Sequence, residues 1–268
     1  MLPRFHVGPE LGLSPGLACA LPDGAARHVQ VLRMQPGAVV HLFDGAGRTW
    51  EATVTEMGRK VVTVEVGAAV ANDRELPVEV TLAMGMPAND RMDALVEKAA
   101  ELGVGVIQPL VCERSVLRLD GERAAKKVAH WQAVAVAACE QSGRAVVPTV
   151  RPVSSLASWL SSEGGAALGG VHRGVLSLRE AVSVQDWLDQ ADAVTNEPAS
   201  QGGVQACADK GQRRRFVFLS GPEGGLSPQE ESAALGAGWS AVSLGRRVLR
   251  ADTAPLAVLS VIGARYER

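Results

Sequence analysis

The stretch Phe216–Ala264 constrains the fold more than any other part of the chain. It holds two short apolar runs, Phe216–Ser220 and Trp239–Leu244, and a glycine follows each of them. Short apolar runs that end at glycine are typical of buried strands. A helix is predicted after each run. The first begins at Ser227-Pro228-Gln229-Glu230, which has capping-box spacing with proline in the first turn, and the second begins near Asp252. Small ligands commonly bind beyond the carboxyl ends of parallel strands, so the two loops predict a ligand site.

The same alternation of strands and helices extends back to Val78. Apolar runs predict strands over Val78–Met84, Val104–Leu110 and Ala166–Val171, and His172-Arg173-Gly174 is expected to form a loop after the last of them. Apolar residues at helical spacing predict two helices, and a glycine ends each of them. The first helix ends at Gly103 and carries Met92, Leu95, Val96, Ala99 and Leu102. The second ends at Gly143 and carries Val128, Trp131, Ala135 and Ala138. This order predicts an α/β fold with a mainly parallel sheet and helices on both faces.

Residues 1–72 follow a different pattern, which indicates a small β-barrel. Three runs predict strands separated by turns: Ala38–Phe43, Thr49–Thr55 and Lys60–Val66. The polar segment Ala71–Pro77 is the predicted linker, so the expected domains are 1–72 and 77–268. Within the second domain, residues 189–213 are rich in polar and small residues and lack apolar periodicity, which predicts a mobile insertion.

Composition and missing motifs exclude several classes of protein. The 268 residues include no secretory signal and no apolar run close to the ~18 residues of a membrane span, so a cytoplasmic protein is expected. The four cysteines include no Cys-x-x-Cys pair and the five histidines have no metal-ligand spacing, so no disulfide and no metal is expected. A dinucleotide-binding glycine motif, a Walker A motif and a nucleophile elbow are also missing. Because the formal net charge is −2, any nucleic-acid binding depends on local basic patches.

Two motifs near the C-terminus resemble a known family. Gly221-Pro222-Glu223-Gly224-Gly225-Leu226-Ser227 is followed by Leu244-Gly245-x-Arg247-Val248-Leu249-Arg250-x-x-Thr253-Ala254, and this pair resembles the SPOUT methyltransferases and, within them, the RsmE family. The resemblance covers nearly the whole chain except about 189–213, through Pro3-Arg4, His28-x-x-x-Leu32-Arg33-Met34, Lys98-x-x-Glu101-Leu102-Gly103-Val104, Glu113-Arg114 and Glu140-Gln141-x-x-Arg144. Arg246 and Ala251-Asp252 depart from the family's usual Pro and Thr-Glu, and Asp252 is still expected to cap the final helix.

The resemblance implies an activity and an architecture. RsmE proteins use S-adenosylmethionine to methylate N3 of a uridine in 16S ribosomal RNA, so 16S rRNA in the small ribosomal subunit is the implied partner. It also implies that the N-terminal barrel is PUA-like, that the SPOUT domain contains a trefoil knot, and that a homodimer brings one subunit's barrel to the partner's cleft. General folding rules argue against knots, so the knot rests on the resemblance alone. Two alternatives are a SPOUT ribose 2′-O methyltransferase and a non-catalytic ribosome-assembly factor.

Site residues follow from the motifs that carry the resemblance. The cofactor is expected where the glycine-ended loops meet, because glycine lets the backbone approach an adenine closely. The predicted cofactor-binding residues are Leu219, Gly221, Gly224, Leu244, Gly245, Leu249, Thr253, Ala254 and His172. The predicted RNA contacts are Arg4, His28, Arg33, Arg114, Gln141 and Arg144. An alternative role for Arg144 is to offset the dipole of the helix that ends beside it.

The implied reaction also requires that a proton be removed and that the resulting negative charge be stabilised. The N3 proton of uracil must be lost, and negative charge then develops on the two flanking carbonyl oxygens. Arg250 is the predicted cation, and its alternative roles are to bind a phosphate or to pair with Asp252. Glu140 is the predicted base and Glu223 the second candidate, since a glutamate in a turn often only braces its own loop.

Overall fold

The computed structural model describes residues 2–59, 61–88, 90–162, 170–196 and 213–267. The chain divides into two compact units, the first formed by Met1–Glu75 with Ala133–Pro148 and the second by Leu76–Gln132 with Thr149–Arg268. The division after Glu75 falls inside the segment predicted as the linker. Residues 133–148, which the sequence placed in the C-terminal domain, join the first unit. No helix in the described ranges is both long and apolar enough to span a membrane.

The first unit is built on a five-stranded sheet. Its described elements are β1 (Arg4–His6), a 3₁₀ turn (Pro9–Leu11), β2 (Ala18–Ala20), α1 (Asp23–Val31), β3 (Val39–Phe43), β4 (Thr49–Met57) and β5 (Val62–Val70). The strand order is β1-β3-β4-β5-β2, in which β1 runs parallel to β3 and the other pairs are antiparallel. The three predicted strands are confirmed, and each extends or shifts by a few residues.

Helix α1 was not predicted, because its apolar residues are few and mostly small. It buries only Ala25, Ala26 and Val29, and two of these side chains are single methyl groups. The helix nevertheless covers the apolar core of the first unit, to which the strands contribute the larger side chains Phe5, Val40, Leu42, Trp50, Val54, Val62 and Val64.

The second unit is built on a parallel sheet. Its described strands are β6 (Glu79–Gly85), β7 (Val106–Val111), β8 (Thr149–Val150), β9 (Ser154–Ser155), β10 (Val171–Leu176), β11 (Val182–Ser183), β12 (Arg215–Ser220) and β13 (Ser240–Ser243). The order is β11-β13-β10-β12-β6-β7-β8, with β9 also paired to β7, and every pairing among these strands is parallel. The predicted mainly parallel sheet is confirmed. The strand order does not establish the trefoil knot, which stays a prediction.

Helices lie against both faces of this sheet. The described helices are α2 (Asp90–Glu101), α3 (Gly121–Ser142), α4 (Leu156–Ser161), α5 (Val184–Asn196), α6 (Pro228–Gly236) and α7 (Thr253–Tyr266). On β12, Phe216 and Phe218 contact Trp187 of α5, and Phe216 also contacts Tyr266 of α7. Because successive strand residues point to opposite faces, Leu219 lies on the other face, in a cluster with side chains from α4 and α6. The predicted covering of both faces is therefore confirmed.

Residues 189–196 belong to α5 rather than to an insertion. Asp192 holds this helix to α7, because its Oδ2 accepts from Arg265 Nε at 3.0 Å and its Oδ1 accepts from the Tyr266 hydroxyl at 2.9 Å. Arg214, just before β12, pairs with the same carboxylate. Burial alone raises the pKa of Asp192, but the hydrogen bonds from Arg265 and Tyr266 outweigh it and leave the pKa below its ordinary value. The rest of the predicted insertion, 197–212, lies outside the described residues.

Candidate active site

Three loops enclose a cavity of about 700 Å³ in the second unit. They follow β10, β12 and β13, which are adjacent in the sheet with β10 in the middle. Because all three strands are parallel, their carboxyl ends meet at one edge, and the loops 177–179, 221–226 and 244–251 line the cavity together. This is the place where open α/β sheets bind small ligands.

Most of the residues predicted to bind the cofactor line this cavity: Gly221, Gly224, Leu244, Gly245, Leu249 and Ala254. Arg250, the predicted catalytic cation, lines it as well. Leu219 does not, because its side chain is fully buried in the core on one face of β12, and the next residue, Ser220, lines the cavity instead. Thr253 is exposed in the first turn of α7 and is not a lining residue either.

His172 lies inside a strand, so the prediction of a loop at 172–174 is wrong. Strand β10 continues through Val175 to Leu176, because both side chains are apolar and Val175 is fully buried. The His172 ring stacks on Phe216 at 5.3 Å between centroids and meets Trp187 edge-on at 6.3 Å. Burial, together with the nearby Arg214, lowers the pKa of His172. His172 is thus a packing residue near the amino end of β10 and does not line the cavity.

The loop that follows β10 begins at Ser177 and was missed by sequence reasoning. Ser177 accepts a hydrogen bond from the backbone of Arg179 at 3.0 Å through its Oγ, and the same hydroxyl donates to Glu231 of α6. Leu178 and Arg179 also line the cavity. The available signal was the change from the apolar pair Val175-Leu176 to the polar Ser177.

The loop 221–226 is tightly folded and held from outside. A Cβ on Gly221 would lie 2.5 Å from the backbone nitrogen of Leu226, so only glycine fits there. Arg114 donates to the carbonyl of Gly224 at 3.1 Å and to that of Leu226 at 3.3 Å. Glu223 accepts from the backbone of Ala88 at 2.9 Å, so it connects this loop to the segment that follows β6 rather than bracing its own loop.

Helix α6 begins directly after this loop with the predicted capping box. Ser227 Oγ accepts from the backbone nitrogen of Glu230 at 3.2 Å, and the Glu230 carboxylate accepts from the Ser227 backbone at 2.9 Å. Both predicted features of this helix start, the capping box and the proline in the first turn, are confirmed.

The loop 244–251 leads into helix α7. Gly245 has φ 116°, a conformation that side-chain-bearing residues rarely adopt. The carbonyl of Arg250 accepts from the backbone nitrogens of Thr253 and Ala254 at 2.9 Å and 3.0 Å, which fixes Arg250 at the start of the helix. Asp252 occupies the N-cap position, but its side chain makes no capping hydrogen bond, so the expected side-chain cap is wrong.

Ser220 places an unsatisfied hydroxyl at the wall of the cavity. The residue is 5% exposed and its Oγ has no hydrogen-bond partner among the described residues. A buried hydroxyl without a partner is unfavourable by about 1–3 kcal/mol, so such groups commonly meet a ligand or an ordered water. Ser220 therefore brings a buried hydroxyl with an unused hydrogen bond to the wall of the cavity.

Both carboxylate oxygens of Glu140, the predicted base, have partners within the first unit. Its Oε1 accepts from the backbone nitrogen of His6 at 2.9 Å, and its Oε2 lies 3.3 Å from Nδ1 of His28. The His28 ring in turn packs edge-on against Phe5 with 5.2 Å between centroids. Both oxygens of Glu140 therefore bind partners from β1 and α1.

Two of the predicted RNA contacts are buried. Arg144 is 3% exposed and donates to Glu75 Oε2 from Nε at 3.0 Å and from Nη2 at 2.8 Å. Arg4 is 8% exposed and donates to the carbonyl of Arg144 at 3.0 Å, with its guanidinium 5.0 Å from the centroid of the Phe43 ring. Neither guanidinium faces solvent, so neither is presented to a phosphate. The remaining predicted contacts, His28, Arg33, Arg114 and Gln141, are exposed.

Comparisons with known proteins agree with this description. A family described as an RNA methyltransferase domain matches residues 74–263, and one described as an RNA methyltransferase PUA domain matches residues 21–67. Ribosomal RNA small subunit methyltransferase E of Bacillus subtilis is 30% identical over 245 residues, which cover 89% of this chain and 86% of the relative. Its counterpart in Synechocystis is 31% identical over 241 residues, which cover 89% of this chain and 70% of the relative.

Solved structures give the same result. The crystal structure of a ribosomal RNA small subunit methyltransferase E from Neisseria gonorrhoeae, bound to S-adenosyl methionine, has a TM-score of 0.82 and 34% identity and covers 99% of this chain and 98% of its own. A putative methyltransferase from Legionella pneumophila, in complex with the same cofactor, has a TM-score of 0.82 and 30% identity with the same coverage. The chain therefore belongs to the RNA methyltransferase family that includes ribosomal RNA small subunit methyltransferase E, with a PUA-like domain preceding the α/β methyltransferase domain.

Proposed function

We propose that this protein transfers the methyl group of S-adenosylmethionine to N3 of a uridine in the 16S rRNA of the small ribosomal subunit. The observation that carries the proposal is that both glycine motifs line one cavity at the carboxyl ends of three adjacent parallel strands. Similarity to small-subunit rRNA methyltransferases over most of the chain supports the substrate. The cofactor bound in two similar structures supports S-adenosylmethionine. An enzyme with this substrate works in the cytoplasm.

The lining residues fit this cofactor. Leu244 and Leu249 supply apolar side chains for a planar adenine, and Gly221 leaves its backbone uncovered. The unpartnered hydroxyl of Ser220 supplies a hydrogen bond that the protein itself does not use. When bound, S-adenosylmethionine supplies an electrophilic methyl group on a sulfonium centre. The loops hold the two reactants in line and exclude water.

Arg250 is the cation that we assign to the developing negative charge. It lines the cavity, it is exposed to a bound substrate, and the carbonyl bonds at the start of α7 fix its backbone. A guanidinium next to the uracil carbonyl oxygens stabilises the imide anion most strongly where water is excluded. Within the described chain, no carboxylate pairs with this side chain, so its charge is available.

We do not assign proton removal to Glu140, because its oxygens already bind His6 and His28. Glu223 is also engaged, with the backbone of Ala88 and with Arg91 at 3.6 Å. We propose instead that N3 loses its proton to solvent water before the loops exclude water from the reactants, and that Arg250 then favours the ionised imide. Glu140→Gln should then leave the shape of the pH–rate profile unchanged. A selective loss of rate at low pH in this variant would restore Glu140 as the base.

The homodimer implied by the family resemblance is also part of the proposal. In it, the PUA-like domain of one subunit and the exposed residues His28, Arg33 and Gln141 bring the RNA to a cleft. Analytical ultracentrifugation tests the assembly, and a monomer at assay concentration would contradict it. Mixing an Arg250→Ala subunit with one that lacks residues 1–72 tests the sharing of domains, because activity should return only if the barrel of the first subunit serves the cleft of the second.

Methylation of isolated small subunits tests the reaction. Subunits from cells that lack this protein are incubated with the enzyme and the cofactor, and the modified nucleoside is identified by mass spectrometry. We expect 3-methyluridine. A 2′-O-methylated nucleoside would indicate the ribose reaction, and no product at all, despite RNA binding, would indicate an assembly factor.

Calorimetry on Gly221→Val tests the placement of the cofactor. The added side chain would meet the backbone of Gly225 and Leu226, so the loop must shift and the affinity for S-adenosylmethionine should fall by more than about tenfold, the equivalent of 1.4 kcal/mol. Gly236→Val is the matched control, because a Cβ at Gly236 meets nothing within 4 Å. Equal affinity in the two variants would contradict the placement.

A further inference from the structure

The cavity that we assign to the cofactor carries more positive charge than its own acids balance. Five arginines and two glutamates line it: Arg91, Arg114, Arg179, Arg247, Arg250, Glu223 and Glu231. Both glutamates are occupied, Glu223 by Ala88 and Arg91 and Glu231 by the Ser177 hydroxyl. Arg114 is occupied as well, because it donates to two carbonyls of the loop 221–226.

Two of the remaining arginines have no assigned partner. Over the described ranges, neither Arg179 nor Arg247 lies within ion-pair distance of a carboxylate, and both are exposed. An exposed guanidinium without a partner is free to bind a phosphate, which it does bidentately. Arg250 is set aside here, because it already serves the proposed reaction.

Each of these arginines stands next to an exposed apolar side chain. Leu178 is 53% exposed beside Arg179, and Val248 is 84% exposed beside Arg247. We call Leu178-Arg179 and Arg247-Val248 the rim pairs. An apolar side chain this exposed contributes little to the core, but it offers a surface for a base or ribose face.

The rim pairs are held near each other by the sheet. They extend from β10 and β13, which are neighbours with Leu176 opposite Val242, and the backbone of Ser177 donates to the carbonyl of Val242 at 3.0 Å. The Ser177 hydroxyl also accepts from the backbone of Arg179, which fixes the loop at its first turn. The two pairs therefore line one cavity from loops that follow neighbouring strands.

We infer that the rim pairs bind a single-stranded segment of RNA next to the target nucleotide, with Arg179 and Arg247 on phosphates and Leu178 and Val248 against bases or riboses. The inference rests on the proposed function, which places the reacting base in this cavity. A base that reacts at an edge used in pairing must leave its duplex, so the strand around it must be held in single-stranded form. On each loop, the cation suits the phosphates of such a strand and the neighbouring apolar side chain suits its bases or riboses.

Binding of a short fluorescein-labelled oligouridine, followed by fluorescence anisotropy at several salt concentrations, tests the inference without any methyl transfer. For single strands, the slope of log affinity against log salt changes by about 0.7 for each phosphate contact. Arg179→Ala with Arg247→Ala should therefore reduce the slope by about 1.4 and weaken binding about tenfold at low salt. Leu178→Ser with Val248→Ser should weaken binding with the slope unchanged. Arg246→Ala is the matched control, because Arg246 is exposed on the same loop but does not line the cavity.

Three results would overturn the inference. The first is an unchanged slope in the double arginine variant. The second is an equal loss per arginine in Arg246→Ala, which would reflect net charge alone. The third is a fall in S-adenosylmethionine affinity by calorimetry with RNA binding intact, which would place the arginines on the cofactor. Failure of the wild-type enzyme to methylate small subunits would refute the proposed function. It would not refute RNA binding by the rim pairs, because the binding assay does not use the methylation reaction.

Discussion

Replacing Glu75 by alanine tests whether Arg144 serves structure rather than RNA. The Glu75 carboxylate accepts two hydrogen bonds from Arg144, and it accepts one each, at 3.0 Å, from the backbone nitrogens of Ala145 and Val146. The Arg144 side chain is 4% exposed and that of Glu75 is 15% exposed, so the pair is shielded from water. Removal of the carboxylate takes away the acceptor of two hydrogen bonds from a buried guanidinium and of one from each of two backbone nitrogens.

Loss of one partner of a buried ion pair is unfavourable by about 3–5 kcal/mol, because the other charge stays desolvated. We therefore expect Glu75→Ala to lower the free energy of unfolding of the first unit by this amount. At about 1.4 kcal/mol per factor of ten, its slowest amides should exchange with solvent about 10²- to 10⁴-fold faster. Amides of β6, β7 and β12 in the second unit serve as the internal reference in the same spectra.

Hydrogen exchange read by mass spectrometry separates the two units and needs no assumption of a single unfolding transition. Glu75→Gln should have an intermediate effect, because an amide oxygen can still accept from Ala145 or Val146. Glu65→Ala is the control, since Glu65 is exposed on β5 and its loss should change stability by less than about 0.5 kcal/mol. An effect of Glu75→Ala below about 1 kcal/mol would refute the reasoning and return Arg144 to the list of RNA contacts.

Three further predictions concern the second unit. Ser227→Ala removes the capping box with Glu230 and should lower stability in urea by about 1 kcal/mol; no change would show that the cap is not needed. The pKa of Asp192 is lower in the folded state than in the unfolded state, so the stability that this carboxylate contributes is present above its unfolded pKa of about 3.9 and is lost as the pH falls through the folded pKa. Asp192→Asn should therefore make Tm fall less steeply at acid pH, and an unchanged acid dependence of Tm would contradict this. Trp131→Phe loses the 2.9 Å bond from Nε1 to Asp93 and should destabilise the protein by about 1–3 kcal/mol in calorimetry, whereas an unchanged Tm would mean that water replaces that bond.

Features set by neighbouring residues were predictable from the sequence. The capping box at Ser227, the glycine ends of α2 and α3 and the apolar runs of the sheet depend on side chains within a few positions of one another. The same holds for the cavity, because the loops after β12 and β13 each carry a recognisable motif. Its third loop was misplaced because the predicted strand ended at Val171 and the loop was placed at 172–174, whereas β10 runs on to Leu176.

Features set by distant partners were not predictable. Arg144 looks like a surface cation in the sequence, and its burial depends on Glu75, which lies 69 positions earlier. Residues 189–196 look like a polar insertion, but Asp192 finds its partners 73 and 74 positions later in Arg265 and Tyr266. A charge pattern shows which residues can pair and not which ones do, so polar residues that fix tertiary structure resemble those left for solvent.

The ion pair between Asp192 and Arg214 has a consequence for how the chain can vary in length. It joins the end of α5 to the start of β12, so the two ends of the segment 197–212 are already fixed in place by contacts outside that segment. Lengthening a loop whose ends are held costs only about 0.6 kcal/mol for each doubling. This position is therefore suited to insertions, because an affinity tag or a fluorescent domain placed there would be joined at both ends to residues that the ion pair already holds together.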